Sequence, residues 1–204
     1  MIALLGCGDR SETSDKTVET KNLEYYNPTA LIEAAELKTA IDSSDPIQII
    51  DFRDAEDYLN GHIPTAININ RIDVVDTNAV TLDLIADRST VEEVLQKKGI
   101  SADNRIIIYD DKASCYAARL WWVLNSYGLE NISLLNGGYT AWINLKQELE
   151  RVDGAKRVEL AASDFRFPES TNPKFVDVPF ILEILDDKDW IIVDARSIEE
   201  YTGT

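Results

Sequence analysis

The residues able to carry chemistry in this chain are few, and most fall near one loop. Asp110-Asp111-Lys112-Ala113-Ser114 follows the apolar run Ile106-Ile107-Ile108-Tyr109 and leads into Cys115-Tyr116-Ala117-Ala118-Arg119. If the run is a strand and the following segment a helix, the loop lies at a strand's carboxyl end beside unpaired helix N–H groups, a common seat for an anion. A thiol at the focus of such a loop is a potential nucleophile, because N–H groups and a helix N-terminus stabilise a thiolate. Cys115 stands five residues after Asp110 and so on the helix rather than at that focus; it is expected to be a small, partly buried packing residue. The only histidine, His62, could act as a general base. It has no nucleophile near it in sequence, and in Gly61-His62-Ile63-Pro64 it is expected to shape a turn. Asp51 and Arg53 are expected to form an ion pair or hydrogen-bond clamp at a strand end.

The elements that must position these residues follow from periodicity and punctuation. Asn27 and Pro28 predict the start of a helix with apolar positions Leu31, Ala34, Ala35, Leu37 and Ile41. Residues 46–51 read as a short apolar strand, Asp54 as the cap of a brief helix closed by Gly61, and Ser89 with Glu92 as a capping box for a helix ended by Gly99. Residues 106–109 and 132–135 are two further strands, with helices predicted over 113–127 and after Gly137-Gly138. Short continuous apolar strands separated by helices mean an α/β fold, with a parallel sheet covered by helices on both faces.

The chain also repeats itself. Ile49-Ile50-Asp51-Phe52-Arg53 and Glu56-Asp57-Tyr58 return as Ile192-Val193-Asp194-Ala195-Arg196 and Glu199-Glu200-Tyr201, at a constant offset of 143 residues. A constant offset marks a duplicated unit. With 204 residues, one unit is expected to be complete and the other truncated.

Five motifs now occur in a telling order: Asp51-Phe52-Arg53; Gly61-His62-Ile63-Pro64; Tyr109-Asp110-Asp111; Ala117-Ala118-Arg119-Leu120-Trp121-Trp122; and Leu135-Asn136-Gly137-Gly138-Tyr139-Thr140-Ala141-Trp142. Their order and spacing resemble the N-terminal domain of two-domain rhodanese-type sulfurtransferases over about residues 30 to 145, and the likeness resumes over 175 to 204. The resemblance implies sulfane-sulfur transfer: a loop cysteine takes sulfur from thiosulfate or 3-mercaptopyruvate, holds it as a persulfide, and passes it to cyanide or a thiol.

In the family's active domains that cysteine directly follows the strand's last residue, where this chain has Asp110. A carboxylate can occupy an anion cradle but cannot carry sulfane sulfur, so the first domain is expected to be catalytically silent, with no catalytic residue in this chain. The family's phosphatases need five residues between their cysteine and arginine, and three separate Cys115 from Arg119. By the same resemblance Asp51, Arg53, His62 and Arg119 belong to a structural motif. Thr65 stands where the family usually has Gly, which predicts a slightly altered turn. Arg196 corresponds to an arginine that helps to bind an anionic donor, for which a guanidinium fork is suited. The expected nucleophile falls at or after position 253, beyond this chain. Trp121, Trp122 and Trp142 are expected in the core or under the other domain.

Composition fills in the rest. With 45% hydrophobic and 28% charged residues the complete unit can bury an ordinary core. A net charge of −17 argues against nucleic acid and against electrostatic docking on anionic lipid. Residues 1–7 end in Leu4-Leu5-Gly6-Cys7, which resembles a bacterial lipobox with Cys7 as the lipidated thiol, although a basic segment and most of an apolar segment should precede it. The expected parse is a partial lipoprotein signal (1–7), a flexible tether (8–24), a first rhodanese domain (25–150), an interdomain linker (151–172) and the start of a second domain (173–204). Expected partners are a small anionic sulfur donor and a thiol or cyanide acceptor, with no nucleic acid, no cofactor and no metal. A membrane enters only through the lipid anchor, and the expected location is the bacterial periplasm, with the cytoplasm as the alternative. A non-catalytic module binding an anion or a protein partner through the Asp110 loop is the competing reading. Residues 190–193 are expected to form a strand lacking its neighbours, so that ending the chain near Ala155 should improve solubility.

Overall fold

The structure, a computed structural model, describes residues 27–79, 84–152, 161–169 and 175–204. Five parallel strands form one sheet in the order β1-β5-β4-β2-β3, built from β1 (Leu31–Ile32), β2 (Ile47–Asp51), β3 (Ile67–Asn68), β4 (Arg105–Tyr109) and β5 (Ile132–Leu135). The two longest strands, β2 and β4, are central and end in register, Asp51 opposite Tyr109, with Asn68 on the other side of Asp51. That shared row brings the loops after three strands together at one end of the sheet.

Helices cover both faces, as the continuous apolar strands require. On one face α1 (Ala34–Ser43) and α5 (Gly138–Asn144) bury Leu37 and Trp142 against Ile49, Ile107 and Tyr109. On the other, α3 (Arg88–Lys97) and α4 (Cys115–Ser126) bury Val91, Leu95, Leu120 and Val123 against Ile50, Ile106 and Ile108. A short α2 (Ala55–Asn60) follows β2.

Several elements differ from the sequence reading. Asn27 caps only a 3₁₀ turn, Pro28–Ala30, and the helix begins at Ala34, because Leu31 and Ile32 pair with Leu134 and Leu135 as an edge strand. Sheet pairing overrides local helix preference here. Helix α3 is capped by Asp87, not Ser89: the Asp87 carboxylate accepts Thr90 N–H at 2.9 Å and the Ser89 hydroxyl at 2.6 Å. Helix α4 starts at Cys115, two residues late, because Ala113 and Ser114 adopt φ of +53° and +65°. Cys115 is exposed rather than partly buried. Trp142 is in the core, whereas Trp122 remains 40% exposed.

Part of the stretch expected to be an interdomain linker packs on the first unit. Residues 163–168 run across α3, whose side chains at four-residue spacing read their backbone. Gln96 donates to Phe165 C=O (2.9 Å), Glu92 accepts Phe167 N–H (2.9 Å), and Arg88 donates to Phe167 C=O (2.9 Å) and Pro168 C=O (2.7 Å). Phe165 and Phe167, 2% and 5% exposed, belong to the α3–α4 core cluster.

Beyond it, α6 (Val178–Ile184) and α7 (Ile198–Thr202) belong to the repeated segment. The predicted strand at 190–193 is absent: Trp190, Ile191, Ile192 and Val193 are 52% to 87% exposed, without a strand partner among the described residues. A strand needs neighbours to exist.

Candidate functional site

The loop after β4 closes around its own first side chain. Asp110 is 1% exposed, and its carboxylate accepts four backbone N–H bonds: Lys112 (2.9 Å) and Ser114 (2.8 Å) donate to Oδ1, Tyr116 (2.8 Å) and Ala117 (2.8 Å) to Oδ2. The left-handed conformations of Ala113 and Ser114 turn the chain so that successive N–H groups converge, the geometry of an anion nest at a helix start. From the other side Tyr139 N–H donates to the Asp110 carbonyl at 2.8 Å. This approach requires Gly138: a Cβ there, at φ +56°, would stand 2.5 Å from the Asp110 carbonyl oxygen.

Beneath the loop lies a buried polar cluster. Asp51, fully buried, accepts Arg53 Nη2 at 2.6 Å and Arg53 Nε at 3.0 Å, and the Tyr109 hydroxyl donates to its Oδ2 at 2.5 Å. Arg53 also donates to Gly61 C=O at 2.8 Å and lies 3.8 Å over the Tyr139 ring. Burial lowers the Arg53 pKa, but hydrogen bonding and charge from Asp51 outweigh it, so the guanidinium is held above its ordinary range. Burial and then the Asp51 charge push Tyr109 upward. Both groups keep their ordinary protonation states, and the Arg53 fork is turned inward rather than toward a ligand.

His62 is buried in the neighbouring turn, stacked on Tyr58 with ring centroids 3.8 Å apart, Nδ1 2.8 Å from Tyr58 C=O and Nε2 3.6 Å from Glu150. Nothing in these contacts connects it to Asp110. Thr65 closes that turn at φ +67°, where its N–H donates to Glu150 at 2.8 Å. A non-glycine residue in this region costs about 1–2 kcal/mol, against the roughly 0.5–1 kcal/mol that glycine loses through backbone entropy. Thr65→Gly is therefore expected to leave stability level or raise it by up to about 1 kcal/mol in urea unfolding; a loss would show that the threonine side chain itself holds the turn.

Arg119 is half-buried on α4. Cys7 lies outside the described residues. Arg196 repeats the Arg53 clamp in the open: its N–H and Nε donate to Asp194 Oδ1 at 3.0 and 2.9 Å and its Nη2 to Oδ2 at 2.5 Å, and the Arg196 bonds lower Asp194 to about 2. Sequence reasoning quoted Tyr109, Gly138 and Tyr139 within its motifs but gave them no role in the site; the Gly137-Gly138 pair just after a strand was the available signal.

Residues 33–145 match the family profile described as Rhodanese-like domain. The chain belongs to the rhodanese-like family. Its relatives include 3-mercaptopyruvate sulfurtransferase of Escherichia coli K12, 31% identical over 168 residues, covering 77% of this chain and 58% of that protein. Thiosulfate sulfurtransferase of Corynebacterium glutamicum is 28% identical over 184 residues, covering 88% of this chain and 58% of the relative. Among solved structures, Escherichia coli SseA, described as a 3-mercaptopyruvate sulfotransferase with the rhodanese fold, superposes with a TM-score of 0.73 at 29% identity, covering 84% of this chain and 67% of that one. The chain thus spans 58% of the length of the two curated relatives named. Homologues of this rhodanese domain are sulfurtransferases, enzymes that take sulfur from a donor and give it to an acceptor.

The domain's loop itself cannot perform that transfer through Asp110, since a carboxylate oxygen forms no persulfide. Nor is the nest open to an external anion, because its four converging N–H groups are already bonded to Asp110. That weakens the reading of this loop as an anion-binding module. Among the described residues no cluster of His, Cys, Asp or Glu could hold a metal, and no helix is long and apolar enough to cross a membrane.

Proposed function

We propose that this chain is the non-catalytic half of a sulfurtransferase that moves sulfane sulfur from thiosulfate or 3-mercaptopyruvate to a thiol or cyanide. The cysteine carrying the persulfide belongs to the second repeat unit, at or after position 253, and Arg196 binds the anionic donor beside it. The observation behind this reading is the Asp110 nest: the first unit keeps a rhodanese loop and fills it permanently with oxygen. Three further points support it: the offset of 143 residues, the shared Asp-x-Arg clamp, and relatives that extend well beyond the matched region. Cys7 as a lipid anchor, residues 8–24 as a tether and the periplasm as location complete the proposal, on the lipobox-like Leu4-Leu5-Gly6-Cys7 alone.

Two measurements test the catalytic part. The coding sequence downstream of Thr204 should encode a second rhodanese loop with cysteine after its strand; a stop codon at that point rejects the enzyme reading. The 204-residue chain, incubated with thiosulfate, should show no one-sulfur adduct by intact mass and form no thiocyanate from cyanide. A stable adduct on Cys115 would move the chemistry into the first unit.

A further inference from the structure

We propose that Trp122 and Tyr127 of the rhodanese domain form a docking surface for the leading edge of the second repeat unit, with Phe175 as the anchor. The proposal rests on the two-unit reading above. Phe175 meets Trp122 edge to face at 5.1 Å and Tyr127 at 5.4 Å. The contact is not isolated: Tyr127 packs on Phe167 at 5.2 Å and Phe167 on Phe165 at 5.0 Å, so rings connect Phe175 to the core between α3 and α4. Edge-to-face pairs at these separations are directional and resist sliding.

The repeat shows what Phe175 is. Helix α1 follows Leu31, Ile32 and its cap Glu33, and α6 follows Phe175, Val176 and its cap Asp177, so Phe175 stands where Leu31 stands in the first unit. Leu31 is partly buried on the edge strand that closes the first unit's own sheet, paired with Leu134. Its counterpart is turned outward onto the neighbouring unit instead. The following helix α6 has a small cluster of its own, with Phe180 edge to face on Trp190 at 5.4 Å and Ile184 8% exposed, so an ordered body follows the anchor. Trp122 remains 40% exposed, an indole offered at the surface beside that body. Its chemistry fits an aromatic or aliphatic partner.

The test is amide hydrogen exchange on the full chain carrying Phe175→Ala, Trp122→Ala or Trp122→Phe. In both alanine variants, exchange in residues 178–184 should rise by about fivefold or more while β4 amides keep their protection, since losing a local contact lowers only the local opening energy. Trp122→Phe, which keeps a ring, should stay near the wild type. Unchanged exchange of residues 178–184 in both alanine variants, or a rise matched in β4, overturns the docking surface. Whether a second unit is encoded at all is answered separately by the downstream coding sequence.

Discussion

A chain ended at residue 155 is expected to be less stable and less soluble than one ended at residue 169. The shorter chain loses Phe165 and Phe167 from the α3–α4 core and every backbone contact that Arg88, Glu92 and Gln96 make to them. Removing a buried phenylalanine side chain costs about 3–5 kcal/mol. The two rings touch, so their losses do not simply add, and leaving the segment unordered returns roughly 1–2 kcal/mol of backbone entropy per residue. A net loss of stability is expected, since the shorter chain leaves the α3–α4 core open where the two rings sat. Both truncations shed the exposed Trp190–Val193 stretch, and the chain ended at 169, which keeps Phe165 and Phe167 over the core, should be the more soluble of the two. Urea unfolding and the soluble fraction on expression check this; equal midpoints for the two truncations would mean that the segment only rests on the domain.

Asp110→Ala should be the most damaging single substitution at the loop. It removes the acceptor of four converging N–H groups, and each buried donor left without a partner costs about 1–3 kcal/mol. Water entering the nest offsets part of that, so a loss of about 3–5 kcal/mol is expected in denaturant unfolding. Asp110→Asn discriminates the cause. The amide matches the carboxylate in shape but turns an NH2 toward two of the donors, so it should cost about 2 kcal/mol or more. If Asn were tolerated to within about 0.5 kcal/mol, the carboxylate would be only a space filler. Formate should recover part of the alanine variant's midpoint, since it offers the same two oxygens to the vacated nest.

The central strands were legible in the sequence because β2, β4 and β5 are largely buried and read as short apolar runs, with Gln48 and Ser133 the only polar residues in their interiors. The two-residue strands β1 and β3 carry too few residues for any period, and only their pairing defines them. Phe165-Arg166-Phe167 looked like linker because nothing nearby in sequence announces α3 as its receptor. Position marked Asp110 as the residue in the cysteine's place. That its oxygens would be gripped from four sides depended on left-handed turns at Ala113 and Ser114, which neither residue type signals.

The clamp at Asp194 and Arg196 has one more implication. Three of its bonds match those of Asp51 and Arg53 to within about 0.1 Å, although one copy is sealed in a core and the other stands in water. So the corner's shape is written in three consecutive residues. During synthesis, which proceeds from the N-terminus, a nascent polypeptide can aim this guanidinium before any later part of the protein has left the ribosome.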